Sequence, residues 1–130
     1  MEFALVAGLL ITLLFGIIDF GWMVNRDTMV NNAAREGARE ASLNPNDADV
    51  KQVARSSLSS LPPAEVDVEF SCKKPDSSAC NVTASDASAP ASGDVAIVTV
   101  SYDHDWLTPV IAGIFGSKIT LAKSTQMRIE

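Results

Sequence analysis

The chain has 130 residues, 47% of them hydrophobic, which suits one domain of modest size. Its net charge of −6 argues against a nucleic-acid partner, since no basic surplus exists to neutralise phosphates. It also argues against attraction to anionic lipid headgroups, apart from the short series Arg26, Arg35 and Arg39.

The apolar residues are unevenly spread, and a large block of them fills Phe3 to Val24, 22 residues with the single charge Asp19. As an α-helix this segment spans about 33 Å, enough for the hydrocarbon core of a bilayer. It is too long and too punctuated by glycine for a secretory signal core, and no small-x-small cleavage site closes it. Asn25 to Leu43 continues without proline, with Met29, Val30, Ala33, Gly37, Ala38 and Ala41 near helical spacing. One helix from about Glu2 to Leu43 is therefore predicted, about 60 Å long, apolar in its first half and amphipathic in its second. Gly8, Gly16 and Gly21, with Ala4 and Ala7, permit close approach of a second helix; an isolated, lipid-facing anchor is the alternative.

Two carboxylates in this segment need partners, because a charge in hydrocarbon costs several kcal/mol unless compensated. For Glu2 the natural partner is an N-terminal amine, its own or that of a neighbouring subunit. For Asp19 the candidates are Arg26 of an adjacent subunit, or solvent at the membrane boundary, where Trp22 suits an interfacial anchor. No basic residue precedes the apolar run, so the positive-inside rule alone places the rest of the chain in the cytoplasm. Removal of a basic leader ahead of residue 1 would put it on the other side, as a disulfide requires.

Asn44-Pro45 ends the long helix and opens a second, with Asn44 as N-cap and Pro45 at the first helical position. Over Asp47 to Leu61 an apolar stripe of Val50, Val53, Ala54, Leu58 and Leu61 has helical spacing, and Pro62-Pro63 stops it. The period then falls to two: Val66, Val68, Phe70 and Cys72 alternate with Asp67, Glu69 and Ser71, as in a strand with one buried face. Lys73 to Gly93 is an excursion rich in Ser, Ala, Pro and Asp, with a short strand expected near Asn81 to Ala84. Strands are predicted over Asp94 to Trp106 and Lys118 to Ile129, separated by a helical or turn segment from Thr108 to Phe115. The fold class is α+β: a long N-terminal helix, a short helix and a small antiparallel sheet of three or four strands, ladle-shaped. The expected division is a shaft, 1–43, and a surface domain, 44–130.

Cys72 and Cys80 enclose seven residues and lack the second ligand pair of a structural zinc site, which the lone His104 cannot supply. A disulfide in an oxidising, extracytoplasmic compartment is expected, with two free buried thiols as the alternative. Asn81-Val82-Thr83 fits a glycosylation acceptor, a pattern frequent by chance. No catalytic set, phosphate loop, cofactor motif or metal cluster stands out, so no enzymatic activity is expected. In Asp103-His104-Asp105 the alternation of a strand points His104 away from both aspartates, and a solvated strand end is expected.

Glu2-Phe3-Ala4-Leu5-Val6, Leu13-Leu14-Phe15-Gly16-Ile17-Ile18-Asp19-Phe20-Gly21 and Asn32-Ala33-Ala34-Arg35-Glu36-Gly37-Ala38-Arg39 closely resemble the N-terminal signature of TadE-like proteins, pilin-like subunits of the tight-adherence branch of type IV pili. Val98 to Tyr102, Leu107-Thr108-Pro109, Gly116 to Leu121 and Met127-Arg128-Ile129-Glu130 resemble the same family. The resemblance implies a leader cut by a prepilin peptidase, dealings with pilus assembly machinery, and a Glu2 that neutralises a neighbour's terminal amine. Glu2 stands closer to residue 1 than in a processed pilin. The expected function is a structural subunit, membrane-embedded before assembly, that polymerises through its N-terminal helix into a cell-surface filament. The alternatives are a minor pilin, or a membrane-anchored binding module on a helical stalk.

Overall fold

The computed structural model describes residues 2–130, and all side chains among them except those of Glu2, Ala4, Leu5, Val110 and Ile114. Its elements in chain order are helix α1 (Glu2–Leu43), helix α2 (Asp47–Ser56), a 3-10 turn (Pro63–Glu65), strands β1 (Val66–Lys73) and β2 (Val95–Asp105), helix α3 (Pro109–Phe115) and strand β3 (Lys118–Arg128). The predicted α+β class holds. At 42 residues α1 is about 63 Å long.

The three strands form an antiparallel meander, β1-β2-β3, with Val68 opposite Val100, Phe70 opposite Val98 and Tyr102 opposite Leu121. Alternate residues share a face, so Val68, Phe70, Ala96, Val98, Val100 and Tyr102 all turn inward. Against them lie Val30, Ala33, Ala34, Ala38 and Ala41 of α1 and Val50 and Ala54 of α2. The alanines are there because a 3.6-residue period must meet a flat sheet closely, and Gly37 shows how closely. A Cβ added to it would stand 3.0 Å from Val98 Cγ1 and 3.1 Å from Ala54 Cβ.

Four local expectations are corrected. The N-cap of α2 is Asn46, whose side-chain oxygen accepts from Ala48 N at 3.0 Å and Asp49 N at 3.4 Å. Asn44 instead donates through its side-chain amide to Asp49 Oδ2 at 3.0 Å, and Pro45 lies ahead of the cap. Helix α2 ends at Ser56, and Leu58 and Leu61 reach the core from the turn that follows. No strand forms at Asn81–Ala84: Asn81 Oδ1 accepts from Thr83 N at 3.2 Å and Thr83 Oγ1 at 2.9 Å, so the backbone turns. The Asp76–Ser78 and Asp86–Ser88 pairs repeat this device along the same loop. The serine hydroxyl and amide hold each carboxyl below its usual value.

The expected disulfide is present, Cys72 to Cys80, with Cα atoms 5.4 Å apart. It folds the start of the loop back on β1, where Lys73 and Ala79 form an isolated bridge. Asp94 lies near the pair, but its Oδ2 accepts from Ala91 N at 2.9 Å and the sulfurs are bonded to each other, which leaves no donor set for a metal.

Candidate functional site: the apolar arm and its junction with the sheet

The two halves of α1 have opposite surroundings. From Val30 to Ser42 one face of the helix is covered by the sheet and α2, whereas from Phe3 to Val24 the described large apolar side chains, Met23 apart, face outward. Phe3 is 85% exposed and Leu9 74%, and Val6, Leu10, Leu13, Ile17 and Phe20 are all more than half exposed. The helix is long and apolar enough to cross a membrane. This arrangement inverts the usual rule of burial, and Asp19 completes the inversion, since the one charge in the segment is 0% exposed.

Asp19 is buried because β2 returns the chain to the arm. At the end of β2 the backbone turns beside α1, and Leu107 N donates to Asp19 Oδ1 at 3.0 Å. Thr108 N donates to Asp19 Oδ2 at 3.2 Å, and the Thr108 hydroxyl donates to the same oxygen. Thr108 is the N-cap residue of α3 but does not cap it with its side chain; the hydroxyl serves Asp19 instead. A buried carboxylate is tolerable when several donors converge on it. Within this chain it is therefore not solvated, and its partners are residues that sequence reasoning missed. The available signal was Thr108-Pro109, a helix start, though nothing in it pointed to residue 19.

Arg26, the other residue expected to balance Asp19, lies with its guanidinium 4.5 Å from the centre of the Trp22 ring, and Nη1 is 3.8 Å from Met29 Sδ. Next to it the strand end holds a row of rings: Tyr102 to His104 at 6.2 Å, His104 to Trp106 at 5.6 Å, and Trp106 to Phe115 at 6.2 Å. His104 points away from its flanking aspartates as expected, but into the core and not into solvent. Burial, and after it the positive charge of Arg26, holds its imidazole below the ordinary value. Arg26 Nε, His104 Nε2 and Trp106 Nε1 are buried without a hydrogen-bond partner among the described residues.

The remaining predicted positions separate by environment. Among the described residues nothing lies within 4 Å of a Cβ placed on Gly8 or Gly21, and one on Gly16 would meet Ile111 Cδ1 alone, at 3.9 Å. The open sides of Gly8 and Gly21 serve no packing among the described residues. The side chain of Glu2 lies outside the described residues. Asn81 is exposed at the loop.

Residues 1–39 match the family model described as TadE-like protein, while no curated protein and no solved structure matches the chain. The matched stretch covers the apolar arm and most of the buried half of α1; the C-terminal resemblance lies outside it. Over that stretch the chain is similar to TadE-like proteins, and the match together with the outward-facing apolar helix fits a membrane-associated, pilin-like protein of tight-adherence pili.

Proposed function

We propose that this chain is a structural subunit that polymerises into a helical, extracellular tight-adherence filament. The first half of α1 spans the membrane before assembly and becomes the filament core afterwards. The observation that carries this reading is the exposed apolar surface of residues 3–24, held on a helix whose other half is fixed in a folded domain. Such a surface is stable only against lipid or against like helices, and a bundle of arms offers the second outside the membrane. In this reading residues 1–43 form the shaft and 44–130 the outer surface. Gly8, Gly16 and Gly21 set how closely neighbouring arms approach, and Glu2 pairs with a neighbour's terminal amine. Asp19 is already satisfied within its own chain, which leaves Arg26 free to meet an acidic group of another subunit.

The test is Gly21→Leu. The site is open within the chain, so folding and membrane insertion should be unchanged while surface filaments disappear from electron micrographs and shear fractions. Filaments of normal yield and symmetry would sink the packing role. Filaments made of another, smaller subunit, with this chain scarce among them, would establish the minor-pilin reading; a chain that never leaves the membrane would establish the anchored module.

A further inference from the structure

Trp106 to Ser117 is a mostly apolar stretch without a charge, twelve residues bracketed by Asp105 and Lys118. The bracketing pair lies at the base of the excursion, Lys118 Nζ 3.6 Å from Asp105 Oδ1. Between them the chain leaves the sheet and forms α3, alongside the arm and not over the core. Leu107 is 59% exposed and Phe115 70%. Ile111 Cδ1 approaches Gly16, and an apolar groove of about 490 Å³ runs between Ile11, Thr12 and Phe15 on one side and Leu107, Pro109 and Ile111 on the other.

The level of this segment on α1 decides what surrounds it. If Trp22 marks the membrane boundary, Gly16 lies about 9 Å and Ile11 about 16 Å below it along the helix. Half of a hydrocarbon core is about 15 Å. A segment seated against residues 11–16 is therefore at hydrocarbon depth whenever the arm spans the membrane. Its chemistry suits that place. The two hydroxyls lining the groove are both engaged, Thr12 Oγ1 donating to Gly8 O at 2.9 Å and Thr108 Oγ1 to Asp19. The amides of Leu107 and Thr108 are taken by the same carboxylate, and Pro109 has no N–H to satisfy. Leu107 and Phe115 of the segment are exposed, as are Ile11 and Phe15 of the arm.

We propose that Leu107–Phe115 dips into the outer leaflet beside α1 before assembly, so that the chain meets the bilayer through two segments. Asp19 ties them together. The dipping segment supplies the donors that make this carboxylate tolerable below the boundary, and the carboxylate supplies the acceptor that lets the amides of Leu107 and Thr108 enter paired. The sheet is thereby held at the headgroup layer in one orientation. This inference rests on the reading of the arm as a membrane span.

The experiment uses the unmodified full chain in vesicles of phosphatidylethanolamine and phosphatidylglycerol carrying a trace of phosphatidylcholine with a diazirine on its acyl chain. After irradiation, adducts are mapped by mass spectrometry. Label on 107–115 should match that on 9–18 in order of magnitude and exceed that on β1, 66–73, by about tenfold. Adducts on 9–18 but only background on 107–115 would overturn the proposal and leave the spanning arm intact. Photo-cross-links from a benzophenone amino acid placed at Phe115 to a second copy of the chain would then identify that unlabelled segment as a subunit contact. Background on both segments would overturn the span and the proposal together.

Discussion

Replacing Asp19 by alanine tests the junction directly. The carboxylate accepts from Leu107 N, Thr108 N and the Thr108 hydroxyl, and a hydrogen bond to a charged acceptor contributes about 1.5–3 kcal/mol. The three are not additive, since they share one acceptor group and the hydroxyl can turn elsewhere. The two amides cannot turn, and each left unpaired in a buried place costs about 1–3 kcal/mol. A local loss of about 3 kcal/mol follows, which is on the order of a hundredfold in the opening equilibrium. The assay is amide hydrogen exchange of the full chain in micelles, read on peptides covering Leu107–Phe115 and, for comparison, β2. Exchange in the first should quicken by on the order of a hundredfold while the centre of β2 stays protected, because the core under Val98 does not depend on Asp19. Asp19→Asn should give a smaller effect, since one acceptor remains while its amide faces one of the N–H groups. An Asp19→Ala chain in which residues 107–115 exchange within about threefold of the parent would refute the reasoning.

Other perturbations separate the positions that serve the fold from those left for assembly. Gly37→Ala adds a methyl 3.0 Å from Val98 Cγ1 and 3.1 Å from Ala54 Cβ. Crowding of about 1–3 kcal/mol should outweigh a helix-propensity gain of about 1 kcal/mol and lower the denaturation midpoint of the sheet, whereas Gly21→Ala, with open space around it, should not lower it. Cys72→Ala with Cys80→Ala releases a short loop and should reduce stability by about 2–3 kcal/mol, measured by denaturant titration with and without reductant; loss of the reductant effect in the double variant is the control. Burial, and after it Arg26, holds the His104 imidazole below the ordinary 6.5, so the folded protein binds this proton less readily. The unfolded chain therefore binds the proton first as pH falls, so its contribution is complete above about pH 6.5 and is lost progressively below it. The denaturation midpoint should drop between about pH 7 and about pH 5 by more in the parent than in His104→Gln, and equal drops would remove His104 from the account.

What the sequence determined by itself are the features set by local period and composition. Twenty-two residues with one charge specify an arm that neither water nor the small core can cover. Ala33, Ala34, Ala38 and Ala41 at helical spacing specify a buried face, and the alternation through Val68, Phe70 and Cys72 specifies a strand with one side inward. These patterns repeat within a few residues, so they are legible without knowing what they pack against. The N-cap of α2 lies two residues beyond the expected Asn44, because Asn44 and Asn46 are chemically alike and only the actual path of the chain shows which groups each one reaches. His104 is the same kind of case: the alternation aimed it away from its aspartates, but whether that side met solvent or core depended on where α1 lay. Asp19 is the furthest from local reading. Its donors are 88 and 89 positions away, and a carboxylate's partners are fixed by proximity in space, which no period along the chain encodes. The glycines divide on the same ground, since Gly37 is closed off by Val98 while Gly8 and Gly21 remain open, a distinction that exists only once the sheet has been laid against one half of the helix and not the other.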